Sequence, residues 1–214
     1  MDAAPGYRRA IAVASLIVGP LLMSVGDLIH PPEDWATAVQ VALVVEAPTR
    51  WYAAHLLLFV GLLLFVPGIA AIGRLAASRR PRAGYAAGIL LFVSVGALSG
   101  VFVFEMLLGR FISEGANQAD AVALLDTFQS PAVFAALVPG LLAFFAGTGL
   151  AVFALASSDG PFRWPALALG LGACLIMAEI ISAQVLLSQI GNIVMLVAGV
   201  GFARVLMRAP AVTS

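Results

Sequence analysis

Two carboxylates sit where apolar residues surround them on both sides. Glu105 lies in Phe102-Val103-Phe104-Glu105-Met106-Leu107-Leu108, and Glu179 lies in Leu175-Ile176-Met177-Ala178-Glu179-Ile180. A charged side chain at bilayer depth costs roughly 2.5–3.5 kcal/mol on insertion scales, so an intramembrane acid calls for a functional reason and a named partner. Asp27, His30 and His55 are the other ionisable residues near such runs, and the latter two are both of the chain's histidines. Acids and imidazoles of this kind can exchange protons: burial raises a carboxyl pKa, so the group holds a proton at neutral pH and can deliver it to an alkene or epoxide. A second carboxylate or a histidine then takes a proton back from the product cation, which aromatic faces can stabilise in between.

The composition says what must carry these groups. The 214 residues are 62% hydrophobic with a mean hydropathy of +1.07, well above the roughly 45–50% apolar content of soluble domains. The chain therefore reads as an all-α integral membrane protein with one transmembrane domain spanning residues 1–214. It has no basic tract, P-loop or Rossmann motif, so neither a nucleic acid nor a nucleotide cofactor is expected. Cys174, the one cysteine, lies in an apolar run and reads as a small buried thiol.

Six spans are predicted. Tyr7-Arg8-Arg9 followed by apolar residues has the outline of a signal peptide, but the run passes without a cleavage pattern into Asp27-Leu28-Ile29-His30-Pro31-Pro32 and reads as a first helix stopped by two prolines. The next spans fall at about 51–75, 83–109 and 131–156, with a kink expected at Pro139-Gly140. Residues 164–208 hold two more, joined near Ser182–Asn192. Loops of about 31–50 and 111–130 carry Glu33, Asp34, Glu46, Glu114, Asp120 and Asp126, with short helices expected at Trp35–Val45 and Gln118–Phe128. Ser157-Ser158-Asp159-Gly160-Pro161 reads as a turn.

All the basic residues are arginines, and nine of them (Arg8, Arg9, Arg74, Arg79, Arg80, Arg82, Arg163, Arg204, Arg208) fall at one face of this plan against two (Arg50, Arg110) at the other. Basic residues are retained in the cytoplasm, which puts both termini there and the two acidic loops outside. The six helices then form three hairpins of like orientation, with Asp27, Glu105 and Glu179 in the outer part of the first helix of each. Segments 51–74 and 130–153 share a weak likeness that sets Gly61 opposite Gly140, in the manner of parallel repeats.

At 1.5 Å per residue, Glu105 is about 7 Å below Arg110, Glu179 about 22 Å above Trp164, and His55 about 6 Å below the outer boundary. Asp27 and His30, three apart, share a helix face. Asp27, His30, His55, Glu105 and Glu179 thus occupy one level and form the expected catalytic set. Trp51, Tyr52, Phe102, Phe104 and Gln184 are expected to line the substrate, although the aromatics also fit an interfacial belt. No polar chain continues to the cytoplasm, which argues against a channel or pump. Plainer roles exist for each residue: helix-end solvation for Asp27 and His30, interhelical bonding for His55, and pairing with Arg110 or Arg50 for the two glutamates.

Small, all-helical chains with isolated acids in their spans resemble the integral membrane terpene cyclases that protonate prenylated substrates. The chain is also similar to small multi-span proteins of actinobacteria whose first span ends Leu-x-His-Pro, here Leu28-Ile29-His30-Pro31, and whose second begins Trp-x-Ala-Ala-His, here Trp51-Tyr52-Ala53-Ala54-His55. The resemblance implies a bacterial cell-membrane enzyme with Glu105 and Glu179 as the acid pair, an isoprenoid or other lipid substrate, and no cofactor. Two alternatives stay open: a divalent metal or haem held by His30 and His55, with Glu105 as a further metal ligand, or a non-catalytic lipid-binding or partner subunit. The pairs Gly170/Gly172 and Gly199/Gly201 permit close helix packing under any of these.

Overall fold

Proline opens three of the long helices, because its missing N–H is one that the first helical turn leaves unpaired anyway. Pro48 starts α3 (Pro48–Arg79), Pro81 starts α4 (Pro81–Ser113) and Pro131 starts α6 (Pro131–Ala156). The computed structural model, which describes residues 5–34, 36–157, 160–182 and 184–208, completes the set with α1 (Pro5–Ile29), α2 (Thr37–Glu46), α5 (Gln118–Phe128), α7 (Arg163–Ser182) and α8 (Val185–Arg208). Six of these, all but α2 and α5, are long and apolar enough to cross a membrane. The expected junction at Ser182–Asn192 is much shorter, since α8 already starts at Val185 and brings Ser188 and Asn192 into a helix. Trp35, Ser158 and Asp159, which belong to the expected first loop helix and turn, lie outside the described residues.

The spanning helices form a closed ring in chain order: α1, α3, α4, α6, α7, α8, then α1 again. Neighbours run antiparallel. Gly19 meets Phe65 while Gly26 meets Ala54, and Gly147 meets Leu91 while Gly140 meets Ala97. Without a water-driven apolar force inside a bilayer, close backbone approach through small residues is what holds such a seam. Two of the sequence's glycine pairs serve it directly: a Cβ on Gly172 would come within 2.8 Å of the Gly191 carbonyl, and one on Gly199 within 2.0 Å of the Leu16 carbonyl.

Three internal prolines, Pro20, Pro67 and Pro139, lie within continuous helices. At Pro67 a neighbouring side chain repairs the ladder. The Gly68 N–H donates to the Ser15 hydroxyl at 2.7 Å, and that hydroxyl donates to the Leu64 carbonyl at 2.5 Å. Ser15 of α1 is thus spliced into the backbone bond that the proline ring displaces, as the lack of water in a bilayer requires.

Nine of the eleven arginines fall at one end of the ring, and Arg50 at the start of α3 and Arg110 in the last turn of α4 fall at the other. The arginine-rich end is plugged by Leu16, Ile72, Ala87, Leu155, Ala166 and Phe202. At the opposite end α2 and α5 pack on each other and on α4, through Val41, Val44, Leu108, Ala121 and Leu125, and make a cap. Burial along α6 and α7 is uneven: α6 buries residues only from Gly140 onward and α7 only up to Ala173, so both helices are more accessible toward the capped end.

Candidate functional site

Inside the ring is a cavity of about 380 Å³, within the roughly 300–1,000 Å³ of small-molecule sites. Its depth is apolar, lined by residues such as Phe65, Ile69, Leu91, Leu141 and Phe144. Its upper end, under the cap, carries Asp27, His30, Glu33, His55, Glu105 and Glu179. All five residues expected to do acid–base chemistry therefore line one space, together with two more acids, Glu33 and Asp34, that the sequence reading left in a loop.

Asp27 is buried and tied to α8. Its carboxylate accepts from Asn192 Nδ2 at 3.2 Å and from Ser188 Oγ at 3.4 Å, and its carbonyl accepts from Gln189 Nε2 at 3.2 Å. Ser188 and Asn192 are four apart on α8 and so share a face, a spacing visible in the sequence once that segment is recognised as helix. His30 and His55 are buried and adjacent. Their Nε2 atoms lie 3.3 Å apart, while His30 Nδ1 donates to the Pro31 carbonyl at 2.7 Å and His55 Nδ1 to the Trp51 carbonyl at 3.0 Å. Trp51 packs against both imidazoles, with ring centroids 4.7 and 4.8 Å away.

Glu105 Oε2 and Trp51 Nε1 are buried and neither makes a hydrogen bond of good geometry, although the indole lies near enough to the carboxyl to act on it. Neither arginine considered as a partner for Glu105 is engaged with it: Arg110 pairs with Glu114 at 2.6 Å, and Arg50 donates to the carbonyls of Ile29 and His30 at 2.5 and 3.3 Å. Glu33 Oε1 stands 3.3 Å from His30 Nδ1. The Pro31-Pro32 pair turns the chain so that Glu33 hangs into the cavity mouth, where its side chain keeps 39% of its surface accessible. Burial among protein atoms, and next the charge of Asp27, push its carboxyl up to about 7. Asp27, Glu33, Glu105 and Glu179 lie close enough for their charges to act on one another. His30 is held below the usual imidazole range by burial, against which the Pro31 carbonyl and Asp27 act.

The lining set is corrected in three places. Trp51 and Phe102 reach the cavity wall, but Tyr52, Phe104 and Gln184 do not. Successive helical residues point about 100° apart, so Trp51 and Glu105 facing inward turn their neighbours Tyr52 and Phe104 away. Tyr52 lies at a shallow groove with Arg110, and Phe104 stacks on Phe128 of the cap at 3.6 Å. Gln184 sits exposed in the short junction between α7 and α8. The alternative metal set of His30, His55 and Glu105 does not assemble either. Among the described residues no three His, Cys, Asp or Glu side chains lie close enough together to hold a metal ion. Cys174, expected to be buried, is exposed on the ring's outer surface.

No family model, curated protein or solved structure matches the chain.

Proposed function

We propose that this chain is a membrane-embedded enzyme that performs acid–base chemistry on a prenylated or other long-chain lipid. One observation carries the reading. A single cavity joins an apolar shaft, suited to a hydrocarbon tail, to a cluster of protonatable groups that includes the buried Glu105 carboxyl, whose Oε2 makes no hydrogen bond of good geometry. A buried acid in an apolar wall is suited to holding a proton and releasing it to a substrate. In the proposed reaction Glu105 protonates a substrate alkene or epoxide. The proton forms a new C–H or O–H bond, and the resulting carbocation closes or rearranges beside Trp51 and Phe102. Glu179 accepts the proton lost on the way to product, so the step is an isomerisation that needs no redox partner. The resemblance to membrane terpene cyclases belongs to this proposal.

The proposed setting is a bacterial cell membrane, with three hairpins, both termini cytoplasmic and the capped end outside, on the strength of the arginine distribution. The accessible stretch of α6 and α7 toward the capped end is then the proposed way in for a lipid from the outer leaflet.

The test is turnover of a panel of prenyl alcohols, polyprenyl epoxides and prenylated aromatics by the full chain in nanodiscs. Conversion by the wild type, with a loss of about 10²–10⁴-fold on Glu105→Gln or Glu179→Gln, is the expected result. Equal conversion by wild type and both variants would falsify the acid–base assignment, and lipid retained without conversion would make the chain a lipid carrier.

A further inference from the structure

A carbonyl oxygen only accepts hydrogen bonds, and this has a consequence for the two histidines. Because His30 Nδ1 bonds the Pro31 carbonyl and His55 Nδ1 bonds the Trp51 carbonyl, both Nδ1 atoms carry hydrogen. In a neutral imidazole the other nitrogen is then a bare lone pair. Both lone pairs belong to the Nε2 atoms, which face one another at 3.3 Å in buried surroundings. Two neutral rings held this way present acceptor to acceptor, an arrangement that repels. A cation between them turns it into a bond.

We propose that His30 and His55 form a paired proton site, in which one additional proton is shared between the two Nε2 atoms at neutral pH. The separation is that of an N–H···N hydrogen bond. A proton needs only these two nitrogens, whereas a metal ion would need further ligands, and among the described residues no third metal-binding side chain joins them.

The surroundings favour one positive charge. Trp51 lies against both rings, and the Phe102 ring centroid is 6.3 Å from that of His55, so aromatic faces enclose the pair. The titratable groups around it are mostly acids: Asp27 on α1, Glu33 and Asp34 in the following loop, Glu105 on α4 and Glu179 on α7 all line the same cavity. Arg50 at the start of α3 is the opposing cation, and its guanidinium is turned to the carbonyls of Ile29 and His30. From α8, α2 and the end of α5 the neutral Ser188 and Asn192, Gln40, and Gln129 just after Phe128 face the cavity. Burial works against a charge on His30 alone; sharing one proton across two rings beside several carboxyls is the arrangement that limits this penalty. The inference holds whether or not the chain converts a lipid.

The chain's histidines are these two and no others, so ¹⁵N-histidine NMR of the full chain in nanodiscs reads the pair without interference. The expected spectrum at pH 7 has both Nδ1 in the protonated range and both Nε2 averaged between protonated and bare values. Raising the pH should shift both Nε2 together in a single one-proton step. His55→Gln should abolish that step and leave His30 as an ordinary neutral imidazole. The inference is overturned by one Nε2–H tautomer beside one Nδ1–H tautomer at pH 7, by two separate titrations, or by a stoichiometric metal ion whose removal changes both rings. If the variant does not fold, the wild-type spectrum decides alone.

Discussion

Asn192 Nδ2 donates to the Asp27 carboxylate at 3.2 Å across 165 positions of sequence, and this bond closes the helical ring where α8 returns to α1. Asp27 is therefore a structural latch as well as a wall of the cavity.

Replacing Asp27 with Ala strands the Asn192 amide in a buried site. Leaving such a donor unpaired costs about 1–3 kcal/mol. Asp27→Asn keeps an acceptor oxygen and should lose less. Thermal unfolding in detergent measures both; a Asp27→Ala protein as stable as wild type, or less harmed than Asp27→Asn, would contradict the latch.

The Ser15 splice at Pro67 makes a sharper prediction. Ser15→Ala leaves the Gly68 N–H and the Leu64 carbonyl without their partner in a waterless setting, for an expected loss of about 1–2 kcal/mol. Once the proline ring is gone the Gly68 N–H can bond the Leu64 carbonyl directly. Ser15→Ala should thus be milder in a Pro67→Ala background, and a double-mutant cycle reports it. Strict additivity would mean that the hydroxyl repairs nothing.

Glu33 sets a pH dependence. Its carboxyl is raised from an ordinary 4.5 to about 7, so between those values the unfolded chain gives up a proton that the folded chain keeps. Its contribution to stability is complete below about pH 4.5 and is lost as pH rises to about 7. Glu33→Gln removes this loss. Wild type should become less stable relative to Glu33→Gln from pH 4.5 to 7, with no further divergence above, and solvent at the cavity mouth keeps the effect small. Melting midpoints of both proteins across that range provide the check; parallel curves would place Glu33 in ordinary solvent.

The ionisable residues were legible as a level but not as a contact. A rise of 1.5 Å per residue places His30, His55, Glu105 and Glu179 at similar depth, yet depth carries no information about rotation around a helix axis. Rotation was settled by packing: the approach of α1 to α3 through Gly19, Gly26 and Gly61 is what brings His30 onto His55. The same missing information misplaced Tyr52 and Phe104, each one residue away from an inward-facing neighbour. Glu33 was illegible for another reason. A charged residue just after Pro31-Pro32 has the composition of a solvated loop, and only the capping helices above it turn that loop into a cavity wall.

What the sequence determined by itself is the helical, multi-span character and the isolation of its acids, because hydrophobicity and helix length are sums over neighbouring residues. The closing of the ring, the cavity inside it and the meeting of the two imidazoles were decided by the tertiary structure, because each depends on which side of one helix faces another, and those sides are fixed by pairings between residues as distant as Asp27 and Asn192.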